Sequence, residues 1–449
     1  MLAENDYRPR TAEPPRRAVS QAATSVYLPT LVRNSNFIEV VAPFGVQMPD
    51  LIDANLTAVQ QMGTTWVRVG LSWSDVEPSN TSSENFNWGV YDAGFAAAAE
   101  RGLAPVVTIT GNPAWAAATT CGPVYAERMQ EFASFLFSTV LRYSRPPYNV
   151  RYWELYNEPD NADPVRSWLG GCWGGKGKEY GEMLRVAYPA IKAADPQAKV
   201  VLGSLAHDWF TTEGGPFDAG FLDDVLDIGK GNAGAFFDLL GFHYYPAFRL
   251  RWESYGNEVI GKTTFFRNKL SAYALNKPIV VTEISMWSGA GQGSSEDLQS
   301  DYVPQAFARA IAADLKFFIW FTLTDYNDWE YGLLRKDSSK KPAYTAYTAA
   351  ANQLRGSSYK GPFLLGGIRP NNTEGYTFTS LSGKERHVIW ATEQGSTLLT
   401  FPASRVVSTD KYGNATELTD GSDGNWDGKL IVTVTKSPIY LDVTPYAGG

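Results

Sequence analysis

Cysteines, histidines and long apolar runs are scarce in this chain of 449 residues. There are two cysteines and three histidines, and the histidines are not spaced as a zinc site requires, so we predict no metal and no cofactor. No run approaches the roughly 18 apolar residues that a membrane helix requires, and we expect no membrane partner. Basic residues number 39 against 47 acidic ones, and the net charge of −8 argues against a nucleic-acid partner.

Aromatic residues, in contrast, are plentiful, since they make up 14% of the chain and include 14 Trp and 24 Tyr. Such a content suits a groove that stacks the flat apolar faces of sugar rings. A large hydrophobic core is the alternative explanation. Composition alone does not separate the two, and it sets no oligomeric state, although we favour a monomer.

Cys121 and Cys172 each lie in a glycine-containing loop, in the stretches TTCGPV and GGCWGG. A disulfide between these loops would indicate an oxidising compartment, whereas two unrelated free thiols would not. Residues 1–26 have the composition of a disordered tail and contain no apolar stretch of the signal-peptide type. We therefore expect an extracellular or periplasmic protein whose signal is absent from this sequence, with a cytoplasmic protein as the alternative.

Eight short apolar runs alternate with stretches of helical spacing between Asn36 and Leu354. The runs are nearly continuous in apolar residues, as strands buried on both faces should be. They are Phe37–Val46, Thr65–Gly70, Ala104–Thr110, Val150–Asn157, Lys199–Ala206, Phe237–Tyr245, Pro278–Ser285 and Phe317–Leu323. The pattern predicts an α/β fold, a closed (β/α)8 TIM barrel over residues 27–355. An open doubly wound sheet is the alternative, but Phe44–Met48 is not the glycine-rich phosphate loop expected there.

The helical pattern ends near Gly356, and shorter alternating runs separated by turns follow it. This change predicts a C-terminal antiparallel β-sandwich over residues 356–449. The runs are Tyr376–Ser380, His387–Thr392, Thr397–Phe401, Leu430–Thr435 and Ile439–Val443. We expect the sandwich to pack on the barrel as a structural cap, with carbohydrate binding as the alternative.

A glutamate stands at the end of two runs that should face each other across the barrel. Glu158 follows the fourth run in WELYNEP, and Glu283 ends the seventh in VVTE. The active site of a β/α barrel forms at the carboxyl ends of its strands. Two carboxyl groups at that level are what a retaining glycoside hydrolase uses, one to protonate the leaving oxygen and one to attack the sugar carbon. Each negative charge raises the proton affinity of the other, so one group can stay protonated near neutral pH.

These motifs resemble those of the clan A glycoside hydrolases, and most of all family 39, over residues 36–355. The resemblance implies that Glu158, in Asn-Glu-Pro, is the acid/base and that Glu283 is the nucleophile. It also implies supporting roles for five further residues. They are Arg68, which holds the nucleophile ionised, Asn157, which binds the sugar 2-hydroxyl, His243 and Tyr245 beside the nucleophile, and Trp320 as the aromatic floor of the sugar subsite.

Other polar and aromatic residues near the strand ends need separate interpretations. Glu154 lies deeper than Glu158 on its strand and is predicted to be a buried partner of a basic group such as Arg68. Trp115 follows the third run at the rim, where we predict a sugar platform. Asp325 follows the eighth run and could bind substrate hydroxyls, since the local carboxylates are too sparse for a calcium loop. Some of the loop tryptophans should line subsites, and the candidates are Trp168, Trp173, Trp209, Trp287 and Trp329.

Together these features predict a retaining glycoside hydrolase that cleaves O-glycosidic bonds of a polysaccharide or oligosaccharide. A transglycosylase of the same fold is an alternative, because it shares the covalent intermediate and differs in the acceptor. A non-catalytic carbohydrate-binding barrel is another, although it would be expected to have lost one glutamate. The loops carry no dense basic cluster, which disfavours a highly sulfated or uronic substrate.

Overall fold

In a computed structural model, the described residues are 42–162, 173–290, 293–393, 395–422 and 424–446. The predicted tail, residues 1–26, lies outside these ranges, as do Trp168 and Cys172. The described residues belong to one compact unit that contains both the barrel and the C-terminal sheets.

Eight strands form a closed parallel barrel in which each strand neighbours the next along the chain and the last pairs with the first. They are β1 (Phe44–Gln47), β2 (Trp66–Ser72), β3 (Ala104–Thr110), β4 (Tyr152–Asn157), β5 (Lys199–Leu205), β6 (Leu239–Tyr244), β7 (Ile279–Ile284) and β8 (Phe318–Trp320). The predicted TIM barrel is confirmed, and each strand overlaps one of the predicted apolar runs, although β1 is shorter than its run and begins only at Phe44.

Helices follow the strands and cover the outside of the barrel. Those of the described residues are α1 (Asp53–Gln61), α2 (Trp73–Val76), α3 (Gly89–Glu100), α4 (Met129–Tyr143), α5 (Gly177–Ala194), α6 (Phe221–Leu226), α7 (Glu258–Ala272), α8 (Glu296–Ala312) and α9 (Pro342–Leu354). Leu56 and Val59 are buried on one face of α1, whereas Ile52 precedes the helix and is exposed. No helix in this part of the chain is both long and apolar enough to cross a membrane.

Alternate residues of the strands face the barrel interior. One layer of the interior is apolar and consists of Trp66, Val106, Val201, Leu239, Val280, Phe317 and Ile319. Two residues farther along β2, β3 and β4 the interior becomes polar, at Arg68, Thr108 and Glu154, which hydrogen-bond to one another. The barrel is therefore a packed core with a polar layer toward the carboxyl ends of its strands.

Strand β7 contains one more residue than its neighbours at the level of the polar layer. On the β6 side, Val281 and Glu283 pair with the consecutive residues Phe242 and His243. The pairing with β8 shows the same shift. Such a β-bulge re-aims the side chains that follow it. Thr282 and Glu283 consequently both face the interior, although they are adjacent in sequence.

The C-terminal region forms two antiparallel sheets, which confirms the predicted β-sandwich. The larger has the order β14-β13-β16-β11-β10-β9, and the smaller pairs β12 with β15. The strands are β9 (Ser358–Pro362), β10 (Thr373–Thr379), β11 (Glu385–Ala391), β12 (Thr397–Phe401), β13 (Arg405–Thr409), β14 (Ala415–Thr419), β15 (Leu430–Val434) and β16 (Ile439–Thr444). β9, β13 and β14 were not predicted, and β9 and β14 contain no buried residue that would create an alternating pattern.

Buried ion pairs join the sandwich to the barrel. Arg309 of α8 donates two hydrogen bonds of 2.8 Å to the carboxylate of Glu374 in β10. Lys411, which follows β13, contacts Asp301 of α8 at 2.6 Å. Two charged contacts on one helix favour the interpretation of the sandwich as a structural cap.

Candidate active site

Arg68 of β2 is the centre of the polar layer and is only 2% exposed. Its Nε donates to Oε2 of Glu154 at 2.7 Å, and its Nη1 donates to Oε1 of Glu283 at 2.8 Å. Nη1 also donates to Oε1 of Gln47 at 2.8 Å, and Nη2 donates to Oδ1 of Asn157 at 2.5 Å. Burial opposes the charge of Arg68, but the two carboxylates outweigh it and raise the pKa of the guanidinium.

Glu154 is fully buried beneath this centre, and its contacts confirm the predicted role as a partner of Arg68. Besides Arg68, its carboxylate accepts hydrogen bonds from Thr108 Oγ1 at 2.6 Å, from Thr282 Oγ1 at 2.8 Å and from Ser204. With four donors around it, the carboxylate is occupied by the protein itself. Glu154 is therefore a structural counter-ion.

Glu283 lies on the other side of Arg68 and is 7% exposed. Its Oε2 accepts a hydrogen bond of 2.6 Å from the hydroxyl of Tyr245, which follows β6. Burial raises the pKa of Glu283, and the charge of Arg68 and the hydrogen bonds from Tyr245 and Arg68 oppose that rise. Burial and the charge of Glu283 raise the pKa of Tyr245 well above its usual value, so its phenol keeps the proton that it donates.

Glu158 contacts His243, which lies in β6. Its Oε1 is 2.9 Å from Nδ1 of His243, and the same nitrogen is 3.4 Å from Oε2 of Glu283. Burial and the charges of Glu283 and Asp160 raise the pKa of Glu158 well above its usual value. Burial and the nearby cations lower the pKa of His243 well below its usual value, so the imidazole is neutral.

One oxygen of Glu158, one oxygen of Glu283 and a ring nitrogen of His243 all lie within 4.8 Å of one another. A divalent cation would find three donor atoms here. The guanidinium of Arg68, however, is 2.8 Å from Glu283 and already supplies the positive charge at this carboxylate. We interpret the cluster as a pair of carboxyl groups with unequal proton affinities rather than as a metal centre.

The end of β4 has an unusual backbone that directs these side chains. Tyr156 and Glu158 have positive φ values of 67° and 43°. Each such conformation costs a non-glycine residue about 1–3 kcal/mol and occurs mainly at functional sites. The hydroxyl of Tyr156 donates to Oδ1 of Asn112 at 2.7 Å, and the N–H of Glu158 donates to the carbonyl of Ser204 at 2.9 Å. These contacts hold the turn that presents both Asn157 and Glu158 to the cavity.

The barrel that carries these carboxyl groups also matches a known protein family in sequence. Residues 44–324 match the family described as Cellulase (glycosyl hydrolase family 5). The chain belongs to this family. The predicted resemblance to clan A glycoside hydrolases is thereby confirmed, and the protein is a glycoside hydrolase with a carbohydrate substrate. No curated protein sequence matches the hydrolase.

Solved structures of other glycoside hydrolases share the fold of this hydrolase. A family 39 glycoside hydrolase from Bacteroides cellulosilyticus WH2 is 21% identical with a TM-score of 0.69, over 90% of this chain and 81% of that one. The catalytic domain of the family 30 xylanase C from Talaromyces cellulolyticus is 13% identical with a TM-score of 0.59, over 90% and 97%. The family 39 enzyme from Xanthomonas axonopodis pv. citri is 14% identical with a TM-score of 0.57, over 90% and 94%. At these identities the likeness shows the fold alone.

A buried lysine that the sequence analysis did not identify supports the wall of the site in this hydrolase. Lys262 of α7 donates to the carbonyl of His243 at 2.8 Å and forms an ion pair of 2.8 Å with Asp208. Asp160 accepts hydrogen bonds from two backbone N–H groups after β5, and burial raises its pKa to about 7. Lysine side chains are ordinarily solvated, so the sequence contains no signal that Lys262 is buried.

The prediction for Trp320 is wrong. Its side chain is fully buried on the outside of the barrel, where its ring lies 6.3 Å from that of Tyr302 in α8. Ile319 faces the barrel interior, so strand alternation turns Trp320 outward and Phe321 inward. The ring of Phe321 is 6.4 Å from that of Tyr245. Phe321, rather than Trp320, therefore has its ring on the side of Tyr245.

Trp115 is partly buried in the loop after β3. Its Nε1 donates to the carbonyl of Glu77 at 3.3 Å, and its ring meets that of Trp73 edge to face at 5.2 Å. These contacts hold the indole in place, and its role as a sugar platform stays a prediction. Cys121 is disulfide-bonded, and Cys172, the other cysteine of the chain, lies outside the described residues.

The loop tryptophans of the described residues differ in their surroundings. Trp173 is 1% exposed and packs edge to face on Tyr156 and Tyr180, so it belongs to the core. Trp287 and Trp329 contact the ring of Tyr331, which the sequence analysis did not single out. Trp209 is 40% exposed in the loop after β5.

Proposed function

We propose that the hydrolase cleaves O-glycosidic bonds with retention, with Glu283 as the nucleophile and Glu158 as the acid/base. The observation that supports this assignment most is the proximity of the two carboxyl groups, whose nearest oxygens lie within 4.8 Å. Carboxyl groups about 5–5.5 Å apart are typical of retaining enzymes, whereas inverting enzymes keep them about 6.5–9.5 Å apart to leave room for water.

The first step follows from the unequal surroundings of the two groups. Glu158 carries the proton and gives it to the glycosidic oxygen as the bond to the sugar carbon breaks. Glu283 attacks that carbon as a carboxylate and forms a glycosyl ester. Arg68 and Tyr245 each donate a hydrogen bond to Glu283 and favour its charged form before the attack.

The second step uses the loss of charge at Glu283. Once the ester has formed, Glu283 no longer raises the pKa of Glu158, to which its charge contributes in the free enzyme. Glu158 is then a carboxylate and removes a proton from water, and the water oxygen attacks the sugar carbon and releases Glu283. A single pair of residues can therefore serve as acid and then as base.

Asn157 and His243 complete the site without taking part in proton transfer. Oδ1 of Asn157 accepts from Arg68, which leaves the amide N–H groups for a sugar hydroxyl. His243 is neutral and lies against Glu158, so it can orient the carboxyl group without adding charge.

The substrate proposed for this site is a polysaccharide or oligosaccharide degraded outside the cytoplasm, with the protein acting as a monomer. The disulfide-bonded state of Cys121 supports an oxidising compartment. A transglycosylase would use the same intermediate, and analysis of products in the presence of sugar acceptors distinguishes it. The presence of both glutamates with their hydrogen-bond partners favours catalysis over sugar binding alone.

Substitution Glu283→Ala with chemical rescue tests the assignment. We expect no measurable cleavage of aryl glycosides by this variant, and partial recovery with azide, whose glycosyl azide product has the inverted anomeric configuration. Glu77→Gln is the matched control, because Glu77 is 2% exposed, lies outside the pair and bonds to Trp73. Near wild-type activity of Glu283→Ala would show that the nucleophile is elsewhere.

A further inference from the structure

A series of aromatic rings leads from the nucleophile to the protein surface. We call Phe321, Tyr326, Trp329 and Tyr331 the aromatic ledge. Within it, neighbouring ring centroids are 5.9–6.4 Å apart. Tyr331 lies 5.5 Å from the ring of Tyr245, the hydrogen-bond donor to the nucleophile. Tyr326, at the far end, is 43% exposed, so the ledge is open to solvent there.

The outer pair of rings is held nearly parallel by a tight turn. Tyr326 and Trp329 exchange backbone hydrogen bonds of 3.3 and 2.8 Å across Asn327 and Asp328. Their ring planes differ by 10°. The two rings stack on each other, so the flat apolar surface that they offer is an outer ring face, which is the kind of surface on which the apolar face of a pyranose stacks.

A buried lysine fixes the loop that carries the ledge. Lys341 is 2% exposed, and its Nζ contacts Oδ2 of Asp325 at 2.7 Å and Oγ of Ser288 at 2.8 Å. Asp325 also accepts the N–H of Gly332 at 2.7 Å, so it is bound within the protein, although the sequence suggested that it could contact substrate. The loop is thus anchored on both sides of the rings, and a preorganised surface binds ligand with a smaller entropic cost.

The position of the ledge in the barrel decides which part of a substrate it can reach. Strands β8 and β4 are four places apart in the closed ring of eight, and therefore lie opposite each other. Glu158, at the end of β4, marks the side on which the leaving group departs. The ledge follows β8 and consequently lies on the far side of the cleaved sugar. The charge of Glu283 acts on the ledge, since burial and the charge of Glu283 together raise the pKa of Tyr326 to about 12.

We propose that the aromatic ledge is a second glycone subsite, which binds the sugar residue on the non-reducing side of the one that is cleaved. This inference rests on the proposed function, because it takes Glu158 as the acid. The ledge side chains are neutral, and Glu330 between Trp329 and Tyr331 disfavours an anionic sugar. The subsite therefore takes a neutral pyranose, and the hydrolase acts within chains or releases disaccharides rather than single terminal sugars.

Aryl glycosides of different length test the subsite directly. The probes are 4-nitrophenyl β-glucoside and β-cellobioside, and 4-nitrophenyl β-xyloside and β-xylobioside. We expect wild-type kcat/KM to be about tenfold or more higher for a disaccharide glycoside than for its monosaccharide partner, because one more ring is buried against the ledge. The variant Tyr326→Ala/Trp329→Ala should lose that preference and keep its activity on the monosaccharide glycoside.

Two controls separate the subsite from effects on folding. Tyr326→Phe/Trp329→Phe keeps both rings and should retain the disaccharide preference. Tyr255→Ala removes a tyrosine that is 42% exposed in the segment before α7. It should leave kcat/KM unchanged for both the monosaccharide and the disaccharide glycosides. A wild-type enzyme without preference for disaccharide glycosides, or an alanine double variant that loses activity equally on both probes, would refute the subsite. Loss of all activity in Glu283→Ala alongside such a result would leave the proposed function standing.

Discussion

Tyr245 donates a hydrogen bond of 2.6 Å to Oε2 of Glu283, the carboxyl oxygen that Arg68 does not contact. The two donors thus bind different oxygens of one carboxylate. Both favour its ionised form, and both compete with the effect of burial, which raises its pKa. The ionisation of the proposed nucleophile therefore depends on two side chains from separate parts of the barrel, Arg68 in β2 and Tyr245 just after β6.

Tyr245→Phe should shift the acidic limb of the pH profile. Removal of the hydroxyl leaves the effect of burial on the pKa of Glu283 less opposed, so that pKa rises. The ionised form is then lost at a higher pH than in the wild type. We expect the acidic limb of kcat/KM to move upward in pH and the maximal value to fall about 10- to 100-fold. Tyr244→Phe is the control, because Tyr244 bonds to Glu258 outside the cavity. An unchanged acidic limb would contradict the role of Tyr245.

Glu158→Gln should make the rate depend on the leaving group. Without the acid, cleavage of substrates with poor leaving groups should fall by about 100- to 10,000-fold, while activated 2,4-dinitrophenyl glycosides should be affected much less. Steady-state rates over a series of aryl leaving groups measure this difference. Equal losses for all leaving groups would indicate that Glu158 does not supply the proton.

Glu283→Gln should lower the pKa of Glu158. The charge of Glu283 contributes to the elevated pKa of Glu158, and burial contributes more, so the pKa should fall without reaching the value of an exposed glutamate. Nuclear magnetic resonance of carboxyl-labelled glutamate, compared between wild type and variant, follows the titration. An unchanged pKa of Glu158 would show that the charge of Glu283 does not act on Glu158.

Lys262→Met should destabilise the fold far more than the same change at Lys269, a partly exposed lysine of α7. Loss of Lys262 leaves Asp208 buried without its partner, which costs about 3–5 kcal/mol. Lys269→Met removes a partly exposed ion pair with Asp223 and should cost about 0–1 kcal/mol. Chemical denaturation measures both free energies of unfolding. Similar values for the two variants would show that the buried pair is not a main support of the site wall.

Much of the site could be predicted because it depends on local patterns. Glu158 and Glu283 lie at the ends of apolar runs, and the strand ends of a barrel converge at one mouth, so strand order predicts that both lie near that mouth. The pairing of Glu154 with Arg68 followed from a similar argument, since a buried charge requires a counter-charge. The direction of Trp320 was misjudged because the sequence does not show where alternation along β8 begins. The bulge in β7 was not visible for the same reason.

By itself, the sequence determined the barrel, the sandwich and the position of the two glutamates at strand ends, because apolar periodicity and strand ends are properties of neighbouring residues. Tertiary structure alone decided that Glu283 faces the cavity beside Thr282, since that depends on the register of β7 against β6 and β8. It also decided where Lys262 finds its partners and how the rings of the ledge line up. These arrangements join residues that are distant along the chain, and no local pattern encodes their meeting.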